Sequence, residues 1–185
     1  MNVDVMKALT GTTTCKLNNE DDLKKANPKT YTATISGAKK VYNLFPGTVL
    51  FLGYYRKMGT VTIAISNHEI IRYCNLENIQ YWSNSSALKG QYIGTAYART
   101  GLQFEYCTQW KGDSIYPVRI ENKIYFKQNP LDILNGSYVP TNEVSIKYAN
   151  LRPEDKVVMT ANQLLEWGPT SIDNSTTYIE GAQII

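Results

Sequence analysis

The chain has 185 residues, of which 43% are hydrophobic and 19% are charged, so it can bury a core and is not expected to be wholly disordered. Its formal net charge is +3, from 19 basic and 16 acidic residues without long like-charged runs, which argues against a nucleic-acid partner. No apolar run reaches the roughly 18 residues of a membrane span, so no membrane partner is expected.

The first segment, residues 1–29, is polar and rich in turn-forming residues. The stretch NNEDDLKK at 18–25 predicts a solvated loop or a short helix. We interpret residues 1–29 as an N-terminal arm that precedes the domain. The beginning of the chain lacks the apolar stretch of a signal peptide, so synthesis in the cytoplasm without export is expected.

From Thr30 onward, short β-type runs alternate with turn residues. The pattern predicts a mainly β, antiparallel domain over 30–138, and the 14 tyrosines favour such a fold. The predicted strands are 39–45, 48–55, 59–66, 69–76, 88–97, 102–110, 115–120 and 123–128. Two hairpins are expected, one turning at Asn67–His68 and one at Glu121–Asn122. Asn129 at the N-cap and Pro130 at the first helical position predict a helix start.

Residues 139–185 change character again, with a strand-like run at 143–151 and a short helical pattern at 161–168. Neither forms a complete unit by itself. We therefore expect a C-terminal extension that contacts other subunits.

The cysteines and the single histidine offer little chemistry. Cys15, Cys74 and Cys107 are an odd number without a CxxC spacing, so buried free thiols are expected. His68 falls in a predicted turn, where a structural role is the simpler interpretation. A substitute zinc site made by His68, Cys74 and Cys107 is disfavoured, although strand alternation does not rule it out. The chain also lacks a P-loop, a Rossmann glycine motif, HExxH and a GxSxG elbow.

Five segments in order carry a more specific resemblance. VYNLFPGTVLFLG, GTVTIAI, IIRYCNLENI, LKGQYIGTA and GLQFEY resemble the M23 (LytM or lysostaphin-type) peptidases. The resemblance covers roughly residues 30–110, and the segment after it resembles stretches that close M23-like domains in phage virion proteins. It implies an M23-like antiparallel β-sheet domain. Active members of this family are zinc hydrolases that cut peptide cross-links in bacterial cell walls.

The resemblance assigns the family's metal and catalytic positions to residues of other types. Asn75 stands at a histidine position, Gly101 and Gln103 stand at the two histidines of the H-x-H strand, and Thr34 is the best match for the metal-binding carboxylate. Amide side chains are poor general bases at neutral pH. The sequence therefore predicts vestigial groove positions at Thr34, Asn75, Gly101 and Gln103, no metal or other cofactor, and no enzyme activity.

Two functions from different classes follow from the resemblance. The first is a non-catalytic structural or assembly component of a bacteriophage particle, in the tail, baseplate or tail tip. It would be made in the host bacterial cytoplasm and would contact other virion proteins in several copies. The alternative is a peptidoglycan-binding module that uses the old substrate groove. Tyr73, Asn75, Gln103 and Tyr106 are its candidate ligand contacts.

Overall fold

A computed structural model describes residues 1–55, 58–81, 85–120 and 122–138 of the chain. The helices are α1 (Val3–Thr10), α2 (Glu20–Leu23) and α3 (Leu131–Leu134). The strands are β1 (Lys16–Leu17), β2 (Ala33–Ser36), β3 (Lys40–Tyr42), β4 (Gly47–Tyr55), β5 (Met58–Ala64), β6 (Glu69–Glu77), β7 (Ser86–Ala87), β8 (Tyr92–Ala96), β9 (Leu102–Thr108), β10 (Pro117–Ile120) and β11 (Lys123–Gln128). The predicted mainly β, antiparallel class is confirmed.

The chain divides into two compact units, which differ from the predicted domain boundaries. Unit 1 comprises Met1–Ala64, Ile71–Tyr106 and Gln128–Val139, and unit 2 includes Ile65–Ile70 and Cys107–Lys127. The residues of the predicted domain, 30–138, are therefore divided between two units. Unit 1 also includes residues 1–29, which the prediction placed outside the domain. The predicted extension over 139–185 lies outside the described residues.

Unit 1 is organised by an antiparallel sheet. Its strands follow the order β1-β2-β9-β6-β5-β4-β7, and β3 joins through β8, which also pairs with β6. The long β4–β5 hairpin runs from Thr48 opposite Ala64 to Tyr55 opposite Met58. The segments 39–45 and 48–55 were predicted as two strands around a turn, and β3 and β4 lie there. β3 pairs with β8, however, so the turn joins strands with different partners.

The core of unit 1 contains aliphatic and aromatic side chains, many of them from these strands. Ile35, Ile63, Ile93 and Phe104 are fully buried. Burial of a side chain of this size stabilises the folded state by about 1.5–3 kcal/mol. The Phe104 ring packs against that of Tyr73 with 5.4 Å between centroids. These contacts fix which side chains of β9 face inward.

Residues 1–29 are part of unit 1, so the predicted separate arm is wrong. The Asn2 side chain caps α1 by accepting hydrogen bonds from the N–H groups of Asp4 and Val5. Met6 and Leu9 are buried on one face of this helix. β1 then pairs with β2, with Leu17 opposite Ile35. The N-terminal segment therefore packs on its own chain, because its apolar residues complete this core.

Of the two alternatives for 18–25, a solvated loop or a short helix, the structure has a short helix, α2. The helix start predicted at Asn129 is also close to the observed α3. The Asn129 Oδ1 accepts a hydrogen bond from the Leu131 N–H at 3.1 Å. The Asn129 amide also donates to the Leu23 carbonyl at 2.6 Å, which ties α3 to the end of α2.

Unit 2 contains the β10–β11 hairpin, in which Arg119 lies opposite Ile124 and Ile120 opposite Lys123. This confirms the hairpin predicted at 115–128. In the same unit the Gln109 N–H donates to the His68 carbonyl at 3.0 Å. Cys15, Cys74 and Cys107 are buried thiols, as expected. Within the described residues, the helices are too short or too polar to cross a membrane.

Candidate functional site

The predicted groove positions Thr34 and Gln103 lie side by side. They are direct cross-strand partners in the β2–β9 pair, and both are partly exposed. The Thr34 backbone is held by the preceding segment, since its N–H donates to Asn19 Oδ1 at 3.0 Å and its carbonyl accepts from the Asn18 N–H at 2.8 Å. Thr34, which was matched to the metal-binding carboxylate, and Gln103, which was matched to a histidine of the H-x-H strand, are therefore neighbours in the fold.

Gly101 directly precedes β9 and has a conformation that only glycine adopts easily. Its φ is +76°, and a Cβ built there would lie 2.6 Å from the Ile35 carbonyl oxygen. Real Cβ atoms do not approach backbone oxygen so closely, and a left-handed φ strains other residues. No side chain therefore fits at this position without movement of the β2 backbone.

Asn75 is joined to Gly101 through the backbone of one residue. The Tyr97 N–H donates to the Asn75 carbonyl and the Tyr97 carbonyl accepts from the Gly101 N–H, each at 2.8 Å. Asn75 itself has a φ of +65°, a left-handed conformation that asparagine tolerates better than most residues. The fold thus brings Thr34, Gln103, Gly101 and Asn75 into one connected region of unit 1.

Tyr73 and Tyr106 do not contribute to this surface. Tyr73 is 0% exposed, and its hydroxyl accepts from the Leu44 N–H at 2.8 Å and donates to Asn43 Oδ1 at 3.0 Å. Burial raises its pKa well above the usual value. Tyr106 is 9% exposed and packs against Tyr138 with 5.3 Å between ring centroids. As candidate ligand contacts, both tyrosines are corrected to core residues.

A buried polar network lies beside these positions, and the sequence analysis missed it. Arg72 Nη1 lies 2.7 Å from Glu105 Oε1, with the two side chains 17% and 6% exposed. Thr32 Oγ1 donates to Glu105 Oε2 at 2.7 Å, and Arg72 Nε donates to Thr62 Oγ1 at 3.3 Å. The available signal was one basic residue, Arg72, within EIIRYCNL and one acidic residue, Glu105, within LQFEY, each flanked by apolar or aromatic residues.

This network shares a face with Gln103. Side chains two residues apart on a strand point to the same side, so Gln103 and Glu105 lie together on β9. The β2–β9 register, with Thr34 opposite Gln103, continues to Thr32 beside Glu105. The network therefore ties strands of unit 1 together on the face that carries Thr34 and Gln103.

His68 belongs to unit 2 and is 5% exposed. Its ring lies 4.6 Å from that of Trp110, between centroids. Desolvation by burial lowers the pKa of the imidazole to about 4, although the neighbouring Glu69 carboxylate acts to raise it. His68 is therefore a buried, neutral residue at ordinary pH, in agreement with the structural role expected for it.

The described residues do not supply a recognisable metal site. Within 1–55, 58–81, 85–120 and 122–138, no three His, Cys, Asp or Glu side chains are grouped so that they could hold a metal ion. The groove positions offer a hydroxyl at Thr34 and amides at Asn75 and Gln103. Zinc in proteins prefers imidazole, thiolate and carboxylate, so these groups do not fit the metal that the M23 resemblance implies.

Comparison with known proteins places M23 peptidase domains among similar structures. One is the crystal structure of a mutant catalytic domain of the prophage-encoded M23 protein EnpA from Enterococcus faecalis, at 14% identity and a TM-score of 0.35, covering 42% of this chain and 65% of that one. Two others are of lysostaphin. The solution structure has 15% identity and a TM-score of 0.44, covering 58% of this chain and 44% of that one.

The second lysostaphin structure, of the antimicrobial peptidase from Staphylococcus simulans, has 14% identity and a TM-score of 0.45, covering 62% of this chain and 46% of that one. The matches thus span less than two thirds of each of these proteins. No family model and no curated protein matches the sequence.

These neighbours correct one prediction. The chain was expected not to be an enzyme, whereas the similar structures are those of peptidases, so the substituted positions alone do not settle its enzyme status. The chain has a mostly antiparallel β-sheet fold whose structural neighbours are M23 peptidase domains.

Proposed function

We propose that the chain is a structural or assembly component of a bacteriophage particle, in the tail, baseplate or tail tip, built on an M23-like fold. It would be made in the host bacterial cytoplasm and would contact other virion proteins in several copies. The observation that carries the proposal is the conformation of Gly101, which packs against the Ile35 carbonyl directly before β9. Through this contact, the segment that resembles the H-x-H strand of the peptidases, Gly101 and β9, takes part in packing the sheet.

The polar network supports the same proposal. Glu105 binds Arg72 and Thr32, and these contacts connect β9 with β6 and with the segment before β2. In some proteins a buried ion pair helps to specify a unique arrangement of the chain, and a module held in an assembly requires a fixed shape. The contacts of Glu105 on the face that carries Thr34 and Gln103 are therefore suited to holding the strands in register.

Exposed apolar side chains in unit 2 offer a surface for neighbouring subunits. Ile115 is 71% exposed and Ile124, on β11, is 38% exposed. Exposed apolar side chains can take part in protein contacts. The packing of residues 1–29 on unit 1 removes the N-terminal arm as a candidate contact, so the proposal assigns the contact to this hairpin.

The test is to purify particles of the phage whose genome encodes the chain and to identify their proteins by mass spectrometry. The proposal expects the chain at a fixed copy number in the particles. Ile115→Asp with Ile124→Asp should reduce its incorporation, whereas Leu88→Asp, which changes a 63% exposed leucine in unit 1, should not. Presence in the lysate but absence from particles would refute the proposal.

The alternative function, peptidoglycan binding, is favoured by one specific observation. Thr34 and Gln103 are partly exposed neighbours on one face and can offer a hydroxyl and an amide to a ligand. Purified cell-wall sacculi that retain the chain, but not a Thr34→Ala/Gln103→Ala variant, would support this function. Failure of sacculi to retain the unmodified chain would eliminate it.

A further inference from the structure

A second concave surface of unit 1 lies away from the groove positions. It is a cleft of about 410 Å³ between the loop after α1, residues 10–14, and the segment 37–42, which we call the Thr/Lys cleft. Ligand sites in proteins usually have volumes of this order. The cleft is therefore large enough for a small organic ligand.

The charged residues that line the cleft are all basic. Lys39 and Lys40 line it, both are exposed, and the lining residues include no carboxylate. The ion pairs formed within the described residues involve neither lysine. A cleft lined by two lysines and by no carboxylate has a positive potential that attracts an anion.

Hydroxyl groups provide directional donors beside this charge. Thr12 Oγ1 and Thr14 Oγ1 lie 3.0 Å apart, and the Thr12 oxygen also accepts from the Thr14 N–H at 3.3 Å. Whichever hydroxyl donates within the pair, the other retains its proton for a ligand. The adjacent Thr10 hydroxyl, which donates to the Met6 carbonyl at 2.8 Å, fixes the loop instead.

Backbone conformation keeps the two sides of the cleft in place. Gly37 has a φ of +86°, which allows the chain to turn from β2 towards the two lysines. Across the cleft, Gly11 ends α1 in a left-handed conformation and leaves room for the Tyr42 ring. The Tyr42 ring provides an aromatic wall against which an apolar or polyol group can pack.

From these features we propose that the Thr/Lys cleft binds a phosphate group carried on a small organic ligand, that is, a phosphate ester. Lysine ammonium groups and hydroxyls suit the tetrahedral oxygens of phosphate. The volume exceeds that of the phosphate group alone, which leaves space for the esterified part beside Tyr42. The proposal is independent of the phage-particle function, since it uses no residue of the groove positions or of unit 2.

The experiment is a titration of the isotope-labelled full chain followed by amide proton–nitrogen spectra. Sodium phosphate is the first probe, with sodium chloride at equal ionic strength as its control. Saturable shifts of amides within 10–14 and 37–42 are expected with phosphate only. Equal shifts with chloride, or the absence of saturation with phosphate, would overturn the proposal.

Variants test whether the lysines bind the anion. Lys39→Gln and Lys40→Gln should each weaken binding about tenfold, as expected for the loss of a charged hydrogen-bond partner. Lys39→Arg and Lys40→Arg, which keep the charge, should retain binding. Lys89→Gln is the matched control, because Lys89 lines a different cavity. If the Lys89 variant weakened binding as much as the others, the effect would be general charge and the proposal would fail.

Two further probes distinguish the source of the phosphate. Glycerol 3-phosphate represents a monoester and dimethyl phosphate a diester. Tighter binding of the first would indicate a terminal phosphate, and comparable binding of both would indicate that a chain of phosphodiesters also fits. Binding of neither ester would overturn the assignment to phosphate esters, even if inorganic phosphate bound.

Discussion

Arg72 and Glu105 form a largely buried ion pair between β6 and β9, with 2.7 Å between Nη1 and Oε1. Thr62 contacts the guanidinium and Thr32 contacts the carboxylate. The pair places opposite charges where neither could be solvated fully. Its geometry therefore has direct consequences for stability.

Removal of one charge should destabilise the protein strongly. Arg72→Met leaves the Glu105 carboxylate in a buried site without the cation that faces it, and we expect the free energy of unfolding to fall by about 3–5 kcal/mol. The double variant Arg72→Met/Glu105→Leu should recover much of this loss, because it buries no charge. Urea denaturation measures both. Equal losses in the single and double variants would contradict the ion-pair explanation.

Gly101 and Gly90 form a matched pair for testing the packing of β9. Both have left-handed backbones, but a Cβ at Gly90 meets nothing within 4 Å, whereas one at Gly101 lies 2.6 Å from the Ile35 carbonyl oxygen. Gly90→Ala should lose about 1 kcal/mol from conformational strain. Gly101→Ala should lose clearly more, since the β2 backbone must move. Thermal unfolding of the two variants provides the measurement, and similar losses would show that the contact is unimportant.

The stability of the protein should depend on the ionisation of His68. Its folded-state pKa of about 4 lies below the unfolded value of 6.5. Between these values the unfolded chain binds a proton that the folded chain does not, so stability is complete above pH 6.5 and falls as the pH drops towards 4. The shift corresponds to a loss of about 3 kcal/mol.

A His68→Gln variant isolates this contribution from the carboxylates that titrate in the same range. Its stability should fall less than that of the unmodified chain between pH 6.5 and 4. Denaturant unfolding at several pH values gives the difference between the two. Parallel pH profiles would show that His68 is not responsible.

Variants of Thr34 and Gln103 distinguish a role in ligand binding from a role in the stability of the fold. Both side chains are partly exposed, so Thr34→Ala and Gln103→Ala should each change the free energy of unfolding by no more than about 0.5 kcal/mol. Retention on cell-wall sacculi should decrease only if the groove binds peptidoglycan. A large loss of stability would instead make both residues part of the fold.

The metal content of the chain is a separate measurement. We expect the purified chain to bind less than one equivalent of zinc, since the donors at Thr34, Asn75 and Gln103 suit that metal poorly. Mass spectrometry of the metal content and release of peptides from sacculi in the presence of zinc are the two assays. Stoichiometric zinc with peptide release would establish a hydrolase whose ligands differ from those expected.

The sequence by itself determined the features that depend on local pattern. Alternation of apolar residues predicted the β class, and the Glu121–Asn122 turn predicted the β10–β11 hairpin. Asn129 marked the start of α3 to within a residue or two. The resemblance matched Thr34 and Gln103, which lie far apart in the chain, to metal positions of the M23 family, and β2 and β9 place them opposite each other.

Only the tertiary structure decided features that depend on long-range packing. Polar composition made residues 1–29 look like an arm, but a few apolar side chains, including Leu9 and Leu17, complete the core of unit 1. Tyr73 looked like a ligand contact because tyrosine suits both surfaces and interiors, and burial against Phe104 assigned it to the core. The partner of Arg72 lies 33 residues away, at Glu105. The local pattern of residues could not predict that contact, because it forms only when strands distant in the sequence come together.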